Sequence, residues 1–311
     1  MNLFAGVDGG ATHTVVLVTD EQGRALVREN GPPALIRTQP AAVVAEQLVE
    51  RVASALKRVG ETQAESTCFA LTGVGRDAER TALEAELAGR VPSRNWRLVT
   101  DAEAALEDAF GQGPGIVLIG GTGSVAWARH PDGSVTRAGG WGPILGDEGS
   151  GFAIGLAALR ATVRAADGRG PPTAISTAVL AASGVNHVDQ LVQWSDNAQR
   201  SAIAALAPAV LALADRDPVA GEITAGAARE LAHLVTPLRP SMPEPAIVAL
   251  AGGLLTPGSP LRERTHALLR AVDGVRILET TVDGARGAAA IARRTNGTSR
   301  QSPATRITLE E

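Results

Sequence analysis

The feature that most constrains the fold is a strand–turn–strand pattern that occurs twice. Residues 3–19 hold a short apolar run, an Asp-Gly-Gly turn and a β-branched run. Residues 115–129 hold a longer apolar run, a Gly-Gly-Thr-Gly-Ser turn and a second alternating run. Apolar segments joined by glycine turns predict antiparallel strands. The repeated layout predicts an α/β fold of two similar lobes, with a nucleotide and substrate cleft between them.

Periodicity predicts the remaining elements. A stripe of apolar residues at helical spacing predicts a helix that Thr38 caps and that continues to residue 59. Further strands are predicted at 25–28, 67–71, 96–99, 246–251 and 275–278, and helices at 77–88, 101–110 and 285–293. We therefore divide the chain into an N-terminal lobe at 1–112, a C-terminal lobe at 113–295 with a helical segment at about 150–240, and a tail at 296–311.

Composition excludes several classes of function. The 29 basic and 33 acidic residues give a net charge of −4, which argues against nucleic acid or an anionic membrane as a partner. Lys57 is the only lysine, so any lysine that binds phosphate must be this one. Cys68 is the only cysteine, which excludes an intrachain disulfide. No apolar run reaches the ~18 residues of a membrane span, and we expect a cytoplasmic protein.

The first glycine turn can bind phosphate. Asp8 ends the first strand, and Gly9, Gly10 and Thr12 follow it with exposed N–H groups and a hydroxyl. Such a turn suits phosphate, while the carboxylate suits a magnesium ion. The alternative is a plain hairpin, because Asp-Gly is a strong turn signal by itself.

Two later turns repeat this chemistry. The second comprises Gly121, Thr122, Gly123 and Ser124, and the third comprises Gly252 and Gly253 after another apolar run. Neither of the first two turns is a Walker A loop or a dinucleotide fingerprint, because no lysine follows and no helix begins directly after the glycines. A hairpin is again the alternative for the second turn. Three such turns together favour a nucleotide-binding protein.

Asp101 lies where a predicted strand stops and a helix begins. Ligands of open α/β sheets bind at this edge, so Asp101 is a candidate catalytic base. The alternative is a helix N-cap, a position that aspartate favours. Thr72, directly after the strand at 67–71, is a candidate substrate contact.

The glycine-rich segment at 139–151 can bind a sugar. Trp141 offers an apolar ring face, and Asp147 can accept hydrogen bonds from hydroxyl groups. The alternative is a structural loop capped by Asp147 or Ser150. We expect this segment to act apart from the phosphate turns.

These motifs together resemble the N-acetylglucosamine kinase branch of the BadF/BadG/BcrA/BcrD ATPase family, over about residues 3–292. The most specific part is the Gly-Gly-Trp-Gly…Gly-Asp-Glu-Gly-Ser segment at 139–150. The resemblance implies ribonuclease H-like lobes and ATP-dependent phosphorylation of an amino sugar, N-acetylglucosamine first, with glucosamine or N-acetylmuramic acid as alternatives.

The resemblance also implies roles for the candidate residues. Asp8 faces Mg²⁺, Asp101 is the base, Gly252 and Gly253 lie by the adenosine, and Trp141 and Asp147 contact the sugar. Ala34 and Leu35 stand where relatives carry a sugar-contacting asparagine, which implies looser discrimination among sugars. A homodimer is expected.

Two other classes remain open. One is an ATPase activator of 2-hydroxyacyl-CoA dehydratases, whose iron–sulfur cluster needs two cysteines from each subunit. The other is a sugar sensor without catalytic activity.

Overall fold

The chain folds into two compact units, each built around a five-stranded sheet. The computed structural model describes residues 1–10, 13–34, 36 and 39–295. The first unit comprises Met1–Gly113 and the described residues from Val282 onward, and the second comprises Pro114–Thr281. An α/β fold with two similar units is therefore confirmed.

The helices and strands alternate along the chain as the apolar periodicity predicts. Up to residue 113 the elements are β1 (Phe4–Gly9), β2 (Thr14–Thr19), β3 (Ala25–Gly31), α1 (Ala41–Arg58), β4 (Ala64–Leu71), α2 (Asp77–Leu87), β5 (Ser93–Thr100) and α3 (Asp101–Phe110). After residue 113 they are β6 (Gly115–Gly120), β7 (Ser124–Arg129), β8 (Val135–Gly139), α4 (Gly151–Ala166), α5 (Ile175–Ser183), α6 (Gln190–Asn197), α7 (Arg200–Ala204), α8 (Ala207–Ala212), α9 (Pro218–His233), β9 (Ala246–Ala251), α10 (Pro260–Arg270), β10 (Val275–Leu278) and α11 (Gly284–Arg294). A short 3₁₀ helix lies at Arg239–Ser241.

The two sheets share one topology. The first has the strand order β3-β2-β1-β4-β5, and the second has the order β10-β9-β6-β7-β8. Each begins with an antiparallel meander of three strands and then adds two strands parallel to the first. This is the ribonuclease H-like arrangement, so the predicted architectural repeat is confirmed.

Helix α1 covers one face of the first sheet through its apolar stripe. Val44, Leu48, Val52 and Leu56 are fully buried, as their helical spacing predicts. The predicted start of this helix is wrong, because α1 begins at Ala41 with Pro40 as its N-cap. Thr38, the predicted cap, lies outside the described residues.

The last helix belongs to the first unit, which corrects the predicted lobe at 113–295. Helix α11 packs on β1 and α3. Its contact face consists of small residues, and a Cβ added to Gly6 of β1 would lie 2.9 Å from the Cα of Ala289. The sequence predicts the helix but not its partner, because the contact joins residues more than 270 positions apart.

The second unit contains the predicted helical segment. Helices α4 to α9 occupy residues 151–233 between β8 and β9. They pack around an aliphatic core that includes Ile116, Leu118, Ile154, Leu231 and Leu250. In the described part of the chain, no helix is long and apolar enough to cross a membrane.

The packing of α11 on α3 leads to a test of the unit boundary. A Cβ on Gly287 would lie 2.8 Å from the carbonyl carbon of Ala104, so Gly287→Ala should overpack this contact. We expect a loss of about 1–3 kcal/mol in the free energy of unfolding, measured by denaturant titration.

The matched control is Gly226→Ala in α9. The nearest atom to a Cβ there is the flexible Nη2 of Arg229 at 3.8 Å, so this change should stabilise the helix by up to about 1 kcal/mol. Equal effects of the two substitutions would contradict the packing described for α11.

Candidate active site

The parallel strands of the first unit bring three candidate residues to one sheet edge. In β1 and β4, Gly9 is paired with Leu71, and the Thr72 N–H then donates to the Gly9 carbonyl oxygen at 2.9 Å. In β4 and β5, Leu71 is paired with Thr100. Thr72 and Asp101 therefore each follow the last paired residue of neighbouring strands, and Asp8 lies near the end of the third.

Asp101 is not the helix cap. The N-cap of α3 is Thr100, whose hydroxyl accepts from the Glu103 N–H at 3.2 Å while the Glu103 carboxylate accepts from the Thr100 N–H at 2.8 Å. This is a complete capping box, so the cap interpretation of Asp101 is wrong. Its carboxylate is available for another role.

The Asp101 carboxylate is oriented by two hydrogen bonds. The Thr72 hydroxyl donates to Oδ2 at 2.7 Å, and the Ala102 N–H donates to Oδ1 at 3.0 Å. Burial raises the pKa of Asp101, while these hydrogen bonds act in the opposite direction. A half-buried carboxylate with a raised pKa and a fixed orientation can serve as a general base.

Asp8 lies in a crowded acidic environment. Burial, and then the charges of Asp101 and Asp283, raise its pKa from 3.8 to about 7, while Arg28 opposes the shift. A Cβ on Gly284, the first residue of α11, would lie 2.7 Å from the Asp8 Cγ. The glycine therefore leaves space for the carboxylate at the start of the helix.

The carboxylates at and near Asp8 fit a divalent cation that has few protein ligands. Burial, and then the negative charges of Asp101 and Asp283, raise the pKa of Asp8, and a bound cation would offset these effects. Among the described residues, no group of three or more Asp, Glu, His or Cys side chains could enclose a metal. An ion bound at Asp8 would take its other ligands from water and phosphate, which is how Mg²⁺ is commonly held.

The first turn is a hairpin between β1 and β2. The Gly10 N–H donates to the His13 carbonyl oxygen at 3.0 Å and closes the turn. Gly9 is buried and paired with Thr14 in the ladder. Thr12, the predicted hydroxyl of this turn, lies outside the described residues. The structure thus contains the hairpin, and the phosphate role of this turn stays a prediction.

The second turn joins β6 to β7 and carries unpaired amides. The Gly121 N–H donates to the Gly123 carbonyl oxygen at 2.9 Å, and the Ser124 N–H donates to Oδ1 of Asp147 at 3.1 Å. Within the described chain, the N–H groups of Thr122 and Gly123 have no hydrogen-bond acceptor. A Cβ on Gly121 would meet nothing within 4 Å, so this side of the turn is open.

Asp147 lies at this turn, not apart from it as expected. It is 4% exposed, and its second carboxylate oxygen pairs with the guanidinium of Arg200. Of the described non-glycine residues, only Asp147 has a positive φ, 62°. The strained backbone and both occupied oxygens show that the surrounding structure fixes this side chain firmly.

The segment at 139–151 also contains the predicted aromatic surface. Trp141 is 53% exposed, and the Arg137 guanidinium lies 4.7 Å from its ring centroid. The cation covers one ring face, which is a favourable cation–π arrangement. The N-cap of α4 is Ser150, whose hydroxyl accepts from the Ala153 N–H at 3.2 Å. The cap therefore involves only Ser150 and leaves Trp141 and Asp147 for other roles.

The third turn differs between its two glycines. Gly252 has φ 92°, and a Cβ there would lie 2.8 Å from the carbonyl carbon of Gly120. It is required where the parallel strands β6 and β9 end side by side. Gly253 has no atom within 4 Å of a Cβ position and is exposed. Only Gly253 can therefore be varied without disturbing the fold.

Three relevant residues were not found by sequence reasoning. Arg200 contacts the second turn, and Arg137 contacts Trp141. Asp283 adds negative charge near Asp8. None lies within a motif. Because Lys57 is the only lysine among the 29 basic residues, a cationic side chain at a phosphate turn is expected to be an arginine, but the sequence does not indicate which one.

Comparison with known proteins identifies the relatives of this chain. A family model described as the BadF/BadG/BcrA/BcrD ATPase family matches residues 5–292. The chain is 28% identical over 302 residues to the N-acetylmuramic acid/N-acetylglucosamine kinase of Clostridium acetobutylicum, covering 94% of this chain and 99% of that protein.

Solved structures agree. The chain is similar to a putative N-acetylglucosamine kinase from Chromobacterium violaceum, with a TM-score of 0.80 and 29% identity over 93% of this chain and 98% of that one. A ROK family glucokinase from Streptomyces griseus, solved with glucose and AMPPNP, shares the fold. Its TM-score is 0.61 at 19% identity, and the match covers 94% of this chain and 100% of that one.

The raised pKa of Asp8 predicts a pH-dependent stability. A carboxyl whose pKa is higher in the folded chain favours folding while it is protonated. This contribution is complete below the unfolded value of 3.8 and is lost as pH rises through about 7. Replacing Asp8 by Asn removes the ionisation. Without divalent cations, Asp8→Asn should therefore unfold about 3–8 °C above the wild type at pH 8.5, with a smaller difference at pH 5.

Thermal melts of both proteins across this pH range provide the measurement. Asp132→Asn serves as the control, because Asp132 is exposed and its pKa is lowered by Ser134. A melting difference for Asp8→Asn that does not grow with pH would show that the carboxylate is not strained by its surroundings.

Proposed function

The chain belongs to the BadF/BadG/BcrA/BcrD ATPase family, and we propose that it is an ATP-dependent kinase of an amino sugar, N-acetylglucosamine first. The observation that carries this proposal is the Asp101 carboxylate, freed from capping and oriented by Thr72 at the sheet edge that also holds Asp8. The names of the similar proteins support an amino sugar as the substrate.

Asp101 acts as the general base. It accepts the proton of the sugar's primary hydroxyl while the hydroxyl oxygen attacks the γ-phosphorus of ATP. The bond from that phosphorus to the β,γ-bridging oxygen breaks, and ADP leaves. The raised pKa makes this carboxylate a stronger base than an exposed aspartate. The Thr72 hydroxyl holds Oδ2, so the base needs little reorganisation during the reaction.

The glycine turns hold the phosphates. Gly9, Gly10 and Thr12 are proposed to line the phosphates at the first turn, and Gly121, Thr122, Gly123 and Ser124 at the second. The N–H groups of Thr122 and Gly123 are the free donors, because those of Gly10, Gly121 and Ser124 already have acceptors. Gly253 and Gly252 are proposed to lie by the adenosine. Asp8 would hold a Mg²⁺ ion, which neutralises phosphate charge when bound. We propose a homodimer as the assembly.

The sugar is recognised through Trp141 and Asp147. One face of the Trp141 ring is covered by Arg137, and the other can stack on the apolar face of a pyranose. Asp147 is proposed to accept from a sugar hydroxyl in addition to its contacts with Ser124 and Arg200. Ala34 is 1% exposed in the core and offers no polar group, which supports looser discrimination among amino sugars.

The two other classes are less well supported. An activator of dehydratases needs cysteine ligands for an iron–sulfur cluster, whereas Cys68 is fully buried in the core with a raised thiol pKa. A sugar sensor has no need of an oriented base at Asp101.

A substrate panel tests the proposed function. ADP release should be measured with N-acetylglucosamine, glucosamine, N-acetylmuramic acid and glucose, each with ATP and Mg²⁺. We expect release with at least one amino sugar and faster release with N-acetylglucosamine than with glucose. ADP release independent of sugar would favour the ATPase class, and binding of sugar without ADP release would favour the sensor.

Asp101→Asn tests the mechanism. The amide cannot accept the proton, yet it keeps the shape of the carboxylate and leaves the Thr100 cap intact. We expect kcat to fall by about 10²–10⁴-fold while the melting temperature stays at or above that of the wild type, because a carboxylate with a raised pKa is removed. Glu103→Gln is the matched control, because it alters the capping box on the same helix and should leave kcat within about threefold. Turnover of Asp101→Asn at the wild-type rate would exclude Asp101 as the base.

A further inference from the structure

Arg200 places a positive charge on the second phosphate turn. It begins α7, and its Nη2 donates to Asp147 and, at 3.5 Å, to the carbonyl oxygen of Thr122. A Cβ on Gly123 would lie 2.5 Å from Nη2. The missing side chain at position 123 is therefore what allows the guanidinium to approach the turn so closely.

The guanidinium retains a donor without an acceptor. Its Nε is buried and has no hydrogen-bond partner among the described residues, although the side chain as a whole is 31% exposed. A buried donor without an acceptor destabilises the folded chain, and a ligand oxygen would remove this cost. The unpaired N–H groups of Thr122 and Gly123 lie in the same turn. The turn therefore holds one guanidinium donor and two amide donors that lack acceptors.

We propose that Arg200 binds a phosphate group of ATP at this turn, and that Asp147 positions it. The proposal rests on the proposed kinase function. Nε has no acceptor, so it can donate to a phosphate oxygen while Nη2 stays bound to Asp147 and to the Thr122 carbonyl oxygen. The only lysine, Lys57, is exposed in the last turn of α1 and belongs to the other unit. Arg200 therefore provides the charge that a lysine provides in other phosphate loops.

Asp147 fits the positioning role. Its buried carboxylate bridges the Ser124 N–H and the guanidinium, so it ties the arginine to the backbone of the turn. A bidentate or bridging carboxylate orients an arginine and reduces the entropy lost when phosphate binds. Its left-handed backbone shows that the chain accepts strain to keep this contact.

Nucleotide titration tests the contact. We expect Arg200→Met to weaken ATP binding by about 10–100-fold and to leave adenosine binding, measured by displacement, within twofold. Arg200→Lys should recover part of the loss, because it restores the charge but cannot donate to Asp147 and to a phosphate oxygen through the fixed geometry of a guanidinium. Unchanged ATP affinity in Arg200→Met, or an equal loss for ATP and adenosine, would overturn the proposal.

Arg264→Met is the matched control. Arg264 lies in the same unit, is 30% exposed, and donates to two carbonyl oxygens and to Asp215. Its loss should leave ATP affinity unchanged. Suppose that the wild type does not phosphorylate sugar but that Arg200→Met still weakens ATP binding. This result refutes the kinase function and leaves the Arg200 contact standing. A working kinase whose Arg200→Met variant binds ATP normally refutes the Arg200 contact alone.

A double-mutant cycle tests the role of Asp147. If Asp147 acts on ATP through Arg200, then Asp147→Asn should weaken ATP binding in the wild type but cause little further loss in Arg200→Met. The sugar KM of Asp147→Asn, measured separately, reports its proposed sugar contact. Additive losses of ATP affinity would show that Asp147 does not act through Arg200.

Discussion

The parallel pairing of β1, β4 and β5 is the constraint on which the proposed catalytic site depends. Parallel strands end at the same sheet edge, so residues that follow each strand become neighbours whatever their distance in the chain. This register brings Thr72 to Asp101 and holds Asp8 nearby. The second unit repeats the arrangement where β6 and β9 end, and there the close approach of backbones requires glycine at position 252.

Electrostatics at this edge oppose stability. Burial and neighbouring carboxylates hold the pKa of Asp8 far above its ordinary value, and burial raises that of Asp101. A protein selected only for stability would place amides or apolar groups there. The same strain makes the edge receptive to a cation and makes Asp101 a stronger base. At the second turn the buried negative charge of Asp147 is instead neutralised by its ion pair with Arg200.

Local patterns in the sequence account for most of the fold. The meander of β1 to β3, the helix at Asp101–Phe110 and the strand at Ala246–Ala251 follow from apolar periodicity and glycine turns. The position of α11 does not, because its small-residue face carries no information about which sheet it covers. The choice of Thr100 over Asp101 as the cap also escaped prediction, since both residue types cap helices and only the Glu103 side chain decides between them.

In the candidate site, too, some residues are evident from sequence motifs and others only from the fold. Asp8, Asp101 and the glycine turns stand in motifs that sequence alone reveals, whereas Arg200 lies 76 positions beyond Ser124 in a helical stretch without a motif. Asp147 was found as a motif residue but was assigned only to the sugar. Its contact with the Ser124 N–H depends on a left-handed backbone that periodicity cannot indicate.

The identity of the phosphorylated product tests the central claim most directly. The protein, ATP, Mg²⁺ and N-acetylglucosamine should be incubated together and the product examined by phosphorus NMR with proton correlation. A phosphate monoester coupled to the two protons of the sugar's primary carbon is the predicted result. Inorganic phosphate as the sole new species, or phosphate on the anomeric oxygen, would contradict transfer to the primary hydroxyl.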